Sequence, residues 1–166
     1  MDALTPVITL HAVSALVVLL LGPFQILRRR RDRAHRILGG VWAAAMVVTC
    51  LSSFGMIDDG LSWLHGLSVW TLVCLAAAIV GIRSGSVEMH RGFMVGSYLG
   101  TLIAFAFAAL VPVRLIPQLL RSEPLIVAVT VLAVAAALTV LVVTVVRSQP
   151  PTGTRNSWPP VPTSSV

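Results

Sequence analysis

Residues 4–36 read LTPVITLHAVSALVVLLLGPFQILRRRRDRAHR. The first 24 of these hold one ionisable side chain, His11, and the next nine hold six arginines. A bilayer core about 30 Å thick is crossed by about 20 apolar residues in helical geometry. The opening stretch is therefore a spanning helix that ends in a basic cluster. It does not read as a secretory leader: Asp2 stands where a basic n-region is expected, and no small-residue cleavage site follows the apolar run.

Working outward, the same kind of segment recurs at about 37–57, 62–82, 92–113 and 124–146. Hydrophobic residues make up 57% of the 166 and charged residues only 11%, against roughly 25% charged in soluble domains. Mean hydropathy is +0.93. Lipid leaves backbone polar groups no partner outside the segment, so each segment should be a helix. The short alternating strands of a membrane barrel are absent. The expected fold class is all-α, a polytopic membrane helical bundle with a four-helix core of two tandem hairpin repeats plus a fifth helix. Residues 1–123 form that core, 124–146 the fifth helix, and 147–166, with five prolines among Ser, Thr and Gly, a disordered tail. Residues 113–123 form a longer connection that suits a short amphipathic piece on the interface.

All 12 basic residues are arginine. With the N-terminus outside, Arg28, Arg29, Arg30, Arg31, Arg33, Arg36, Arg83, Arg91, Arg147 and Arg155 fall inside, and only Arg114 and Arg121 fall outside. Four of the six acids (Asp2, Asp58, Asp59 and Glu123) lie on the outer side. This positive-inside bias places the N-terminus outside and the C-terminus in the cytoplasm, in a multi-pass protein of the cell (inner) membrane. It also accounts for the net charge of +6 without nucleic acid, and the arginine cluster would attract anionic headgroups. Cys50 and Cys74 lie within apolar segments and read as inert.

Four histidines repeat. His11 and His35 are 24 residues apart, His65 and His90 are 25 apart, and His11-Ala-Val-Ser14 matches His65-Gly-Leu-Ser68. An ionisable side chain within a membrane span is a candidate functional group. At 1.5 Å per residue His11 shares a depth with His65, and His35 with His90, the two levels being about 20–25 Å apart. One tetrahedral site cannot use all four, because its ligands must lie about 2 Å from the ion. Two bis-histidine sites remain, the ligand set of a six-coordinate b-type haem, drawn from helices that face each other diagonally across a four-helix bundle.

Small residues flank each histidine (Ala12 and Ser14, Gly39 and Gly40, Gly66 and Ser68, Gly92 and Gly96) and would let a porphyrin lie against the helix. The stripe Gly92, Gly96, Gly100 reads equally as a helix-packing surface. Arg36, Arg91 and Arg114 are candidate partners for haem propionates. Arg36 and Arg91 read slightly better as side chains that reach the headgroups. Pro23 frees a carbonyl one turn earlier in its helix, and Gln25 is placed to bond it or to line a polar site. Trp63 suits an interfacial belt. No nucleophile–base set, phosphate loop or acidic metal cluster is present.

His11 with Gly22-Pro23-Phe24-Gln25, the arginine run and His35-Arg36-Ile-Leu-Gly39 resemble a bacterial family of uncharacterised membrane proteins, domain of unknown function 2306. His90-Arg91-Gly-Phe-Met94 and Arg114-Leu-Ile-Pro117 are similar to that family's second histidine element and closing arginine, with Phe93 where the family often has Trp. The resemblance covers about residues 5–120. It implies a fold and supplies no catalytic residue. The alternating four-histidine plan is also similar to the dihaem b-type cytochromes, by spacing alone.

The sequence therefore leads to a transmembrane electron carrier with two b-type haems. His11 and His65 ligate one iron and His35 and His90 the other, with Arg36, Arg91 and Arg114 as cofactor-binding residues. The lipid bilayer and a redox partner or quinone are its partners. The alternative is a cofactor-free membrane protein that binds a partner or small ligand, its histidines serving as interhelical bonds or pH-sensitive groups.

Overall fold

A computed structural model describes residues 6–28, 30–56, 62–111 and 115–149. The described residues form helices α1 (Pro6–Leu27), α2 (Arg33–Ser53), α3 (Trp63–Arg83), α4 (Val87–Leu110), α5 (Leu115–Ser122) and α6 (Pro124–Arg147). All except α5 are long and apolar enough to cross a membrane. α5 falls within the connection that the sequence marks as an amphipathic piece.

Local chemistry sets the helix ends. α1 and α6 begin on Pro6 and Pro124, where proline's missing N–H costs nothing and its φ suits a helix. α2 starts at Arg33, four residues before the apolar run. The carboxylate of Asp32 accepts the His35 N–H at 3.0 Å, filling one of the orphan donors of the first turn. The α3–α4 connection is equally short. Ser86 N–H donates to Gly81 O at 2.8 Å and Gly85 N–H to Ile82 O at 3.3 Å. Gly85 supplies the left-handed φ of +83° that this helix stop requires. The Ser86 hydroxyl then accepts the Met89 N–H and starts α4. Hydropathy alone begins helices two and four at 37 and 92. The caps extend them so that His35 and His90 lie one turn inside.

α1 packs along α2 and α3 along α4, and these two hairpins join through α2 against α3 and α1 against α4. Among the described residues the diagonal pairs α1/α3 and α2/α4 make no close backbone contact. Val18, Leu21, Trp42, Met46, Cys50, Leu75 and Tyr98 form the buried centre. α6 lies on α1 and α2 and buries no residue. Its exposed Leu125, Val129, Leu132 and Val140 are what a lipid-facing helix presents. Cys50 and Cys74 are buried and unpaired.

Because lipid is as apolar as leucine, hydrophobicity alone does not hold such helices together; close packing and interhelical hydrogen bonds do. Two of those bonds meet on α1. Pro23 has no N–H to give to the Leu19 carbonyl, and the Tyr98 hydroxyl donates to it instead, at 3.3 Å. The Trp42 indole N–H donates to the neighbouring Val18 carbonyl at 3.1 Å. The sequence offers Gln25 as partner for the freed carbonyl. The structure gives that role to Tyr98, from α4, and sends Gln25 elsewhere.

Candidate functional site

The histidines separate into two levels. His11 bonds Thr49, which lies fourteen residues along α2 from His35, about 21 Å at helical rise.

At the arginine-rich end, α2 carries His35 and α4 carries His90, each in the first turn of its helix. His35 stands in the first turn, which Asp32 fixes. Asp32 is held in turn by Arg28, whose Nη2 donates to its Oδ2 at 2.7 Å. The Gln25 side chain reaches across from α1 and donates to the His35 carbonyl at 3.0 Å. Gly39 leaves it room: a Cβ there would stand 3.1 Å from Gln25 Nε2. His90 Nδ1 lies 3.0 Å from the Ala78 carbonyl of α3. A carbonyl only accepts, so Nδ1 carries the proton and Nε2 keeps its lone pair. Backbone anchoring of one ring nitrogen in this way is how metal-binding imidazoles are commonly oriented. Gly81 lets the helices close here, for a Cβ on it would stand 3.0 Å from Met89 Cγ and 3.2 Å from the His90 backbone nitrogen.

Among the described residues, three polar atoms at this end are buried without a hydrogen-bond partner: His35 Nδ1, Gln25 Oε1 and Arg28 Nε. Buried polar groups are ordinarily satisfied, and those that are not call for an explanation.

At the opposite end, both imidazoles converge on the last turn of α2. His11 Nδ1 lies 3.0 Å from Thr49 O and 3.1 Å from Ser52 Oγ, so it donates to the carbonyl and leaves Nε2 with a lone pair. The Thr49 hydroxyl stands 2.9 Å from Ser14 Oγ, tying α1 to α2 again. His65 differs. Its Nδ1 accepts the Ser62 N–H at 2.9 Å, and its Nε2 lies 3.2 Å from Ser53 O, to which it donates. Both nitrogens are in use, and the ring packs on Phe54 with centroids 5.6 Å apart.

Arg36 and Arg91 are exposed at the arginine-rich end, as side chains reaching for headgroups should be. Arg114 lies outside the described residues, as do the Asp58-Asp59 turn and the tail from 150 onward. A Cβ on Gly92 or on Gly96 would meet nothing within 4 Å, and one on Gly100 only Leu67, at 3.7 Å. That stripe therefore packs no helix closely among the described residues. Among them, too, no three His, Cys, Asp or Glu side chains gather into one cluster.

A family model for predicted membrane proteins, DUF2306, matches residues 8–146. The chain belongs to the DUF2306 family. The match takes in both histidine levels and all of the spanning helices. No curated protein and no solved structure matches the chain. This DUF2306 protein is a multi-pass integral membrane protein.

Asp32, Gln25 and Arg28 shape the site as much as the histidines do. The sequence signal for Asp32 is an Asx residue three positions before a first-turn residue. For the pair Arg28–Asp32 it is i,i+4 spacing. The Asp32 carboxyl is held below its ordinary value of 3.8, first by the His35 N–H and then by Arg28, against some desolvation. A depressed carboxyl stabilises the fold fully above its unfolded pKa, and that contribution is lost as pH falls through the folded value. Acidification below about pH 4 should therefore destabilise the wild type more than Asp32→Ala, whose thermal midpoint in detergent should change less over the same interval. Parallel acid profiles for the two would remove Asp32 from the anchoring of α2.

Proposed function

We propose that this DUF2306 protein is a membrane electron carrier that holds a b-type haem between His35 and His90. One observation carries the reading. Two imidazoles stand at one level on diagonal helices, one of them oriented by a backbone carbonyl with its Nε2 lone pair available, the other with a buried, unpartnered ring nitrogen. Axial ligation from opposite faces of a porphyrin needs such a pair. When bound, the haem would supply one-electron transfer, which is the cofactor's own chemistry. The chain's part is to hold His90 on Ala78, to hold His35 through Asp32 and Gln25, and to place the Arg28 cation beside them.

At the opposite level the donor set is less open. His11 has a free Nε2, but His65 would have to release Ser53 or Ser62 to bind iron. The observation that both His65 nitrogens are spent favours the second reading for that pair, as interhelical hydrogen bonds worth on the order of 0.6–2 kcal/mol each. The two-haem plan thus contracts to one site, with exchange of electrons with a quinone or a protein partner as its use.

A reduced-minus-oxidised visible spectrum of the purified chain, made in haem-replete cells, tests this. The expected result is a single low-spin b-type absorption, lost in His35→Ala and in His90→Ala and kept in His65→Ala. A colourless, folded protein overturns the haem reading. Loss of part of a split absorption on His65→Ala restores the second site.

A further inference from the structure

We infer that the groove between α1 and α6 is a binding site for one acyl chain of an anionic phospholipid, whose phosphate is held by Arg28 and Arg147. The inference does not rest on the haem reading and uses no histidine, although Arg28 also holds Asp32 at the first turn of His35. The groove has a volume of about 300 Å³ and is lined by Leu20, Leu21 and Phe24 of α1 and by Ala135, Leu138, Thr139, Val142 and Val143 of α6. Its one polar side chain is internally satisfied, because the Thr139 hydroxyl donates to Ala135 O at 2.8 Å. The lining thus has no unmet polar group to bind a head, and its size, at the low end of the roughly 300–1,000 Å³ of ligand pockets, suits a chain.

Charge marks one end of the groove. α1 and α6 are the first and fifth of five spans, so they run in the same direction through the bilayer. Each passes one turn beyond its last lining residue to an arginine, from Phe24 to Arg28 and from Val143 to Arg147. The Arg28 guanidinium stands 5.7 Å from the Phe24 ring centroid, which places a cation directly beside an apolar wall. Its Nε is buried and without an acceptor, although its Nη2 is already bonded to Asp32. A phosphate oxygen is the acceptor that Nε lacks. Arg147 is exposed and adds a second positive charge at the same end. A zwitterionic lipid would bring its own ammonium to this cluster, and a neutral isoprenoid would leave both cations unmet, so the site selects a net negative headgroup.

Native mass spectrometry of the full chain in detergent, supplied with equal phosphatidylglycerol and phosphatidylcholine, tests the site. The expected result is a one-to-one phosphatidylglycerol adduct that survives when bulk detergent and lipid are stripped. Arg28→Gln and Arg147→Gln should each weaken the preference for phosphatidylglycerol about fivefold. Ala135→Phe, which fills the groove, should abolish the adduct, and Thr139→Phe serves as a second filling variant should the first fail to fold. Equal retention of both lipids, a neutral isoprenoid recovered in place of phospholipid, or an undiminished adduct in a folded groove-filled variant would overturn the proposal. Each readout is independent of any haem absorption.

Discussion

Gly22→Val is expected to lower the stability of the bundle by about 2–4 kcal/mol, the sum of overpacking and a broken hydrogen bond. A Cβ at residue 22 would lie 2.4 Å from Tyr98 Cε2, 2.6 Å from Cδ2 and 3.1 Å from Cζ. These are distances at which an atom must move. The ring has little freedom to do so, because Tyr98 is 8% exposed and its hydroxyl is engaged by the Leu19 carbonyl. Pushing the ring away leaves that carbonyl with neither the proline N–H nor the phenol, in a region without water. The strain and the lost bond therefore add. Tyr98→Phe separates them, since it deletes the bond and keeps the ring, and should cost only about 1 kcal/mol. Circular-dichroism melts in detergent give both values. An unchanged midpoint for Gly22→Val would mean that α1 and α4 do not meet at this point.

The second large effect is expected at Trp42. This side chain is 5% exposed and lies in the buried centre with Val18, Leu21 and Met46, and its indole N–H crosses to α1. Trp42→Ala opens a cavity and removes the bond, a loss of about 3–5 kcal/mol for a large aromatic in a core. Trp42→Phe keeps most of the volume and should lose far less. Trp42 stands two turns along α2 from His35 and one heptad short of Thr49, so both histidine levels should feel its loss. In the same detergent melts, Trp42→Ala should also unfold over a broader range, as α1 and α2 lose their central link. A melt for Trp42→Ala no lower than that of Trp42→Phe would show that the indole is not packed as described.

The helices were legible because spanning is a local property. A run such as 124–146, with no charge and only three threonines for polarity, has one way to satisfy its backbone in lipid. The ends of α2 and α4 were less so. Hydropathy weighs side-chain transfer and is blind to caps, while Asp32 and Ser86 act through single hydrogen bonds to the backbone. The depth of His35 and His90 could be read by counting residues, because depth along a helix is a product of rise and number. The role of His65 could not, because Ser53 and Ser62 reach its ring only after α2 and α3 have packed. Tyr98 was invisible as the partner of Leu19, being 79 residues away, and no spacing rule connects them.

The chain's own order of residues determined the number of spans, the sharing of four imidazoles between two depths and the run of arginine at one end, since hydropathy, helical rise and headgroup charge act residue by residue. Only the packed bundle decided which ring nitrogens stay free, which carbonyl takes the place of proline's missing donor, and that a groove between the first and last spans opens beside two cations. Those depend on each helix's rotation about its axis and on where neighbouring side chains point, quantities that exist only once the helices have met.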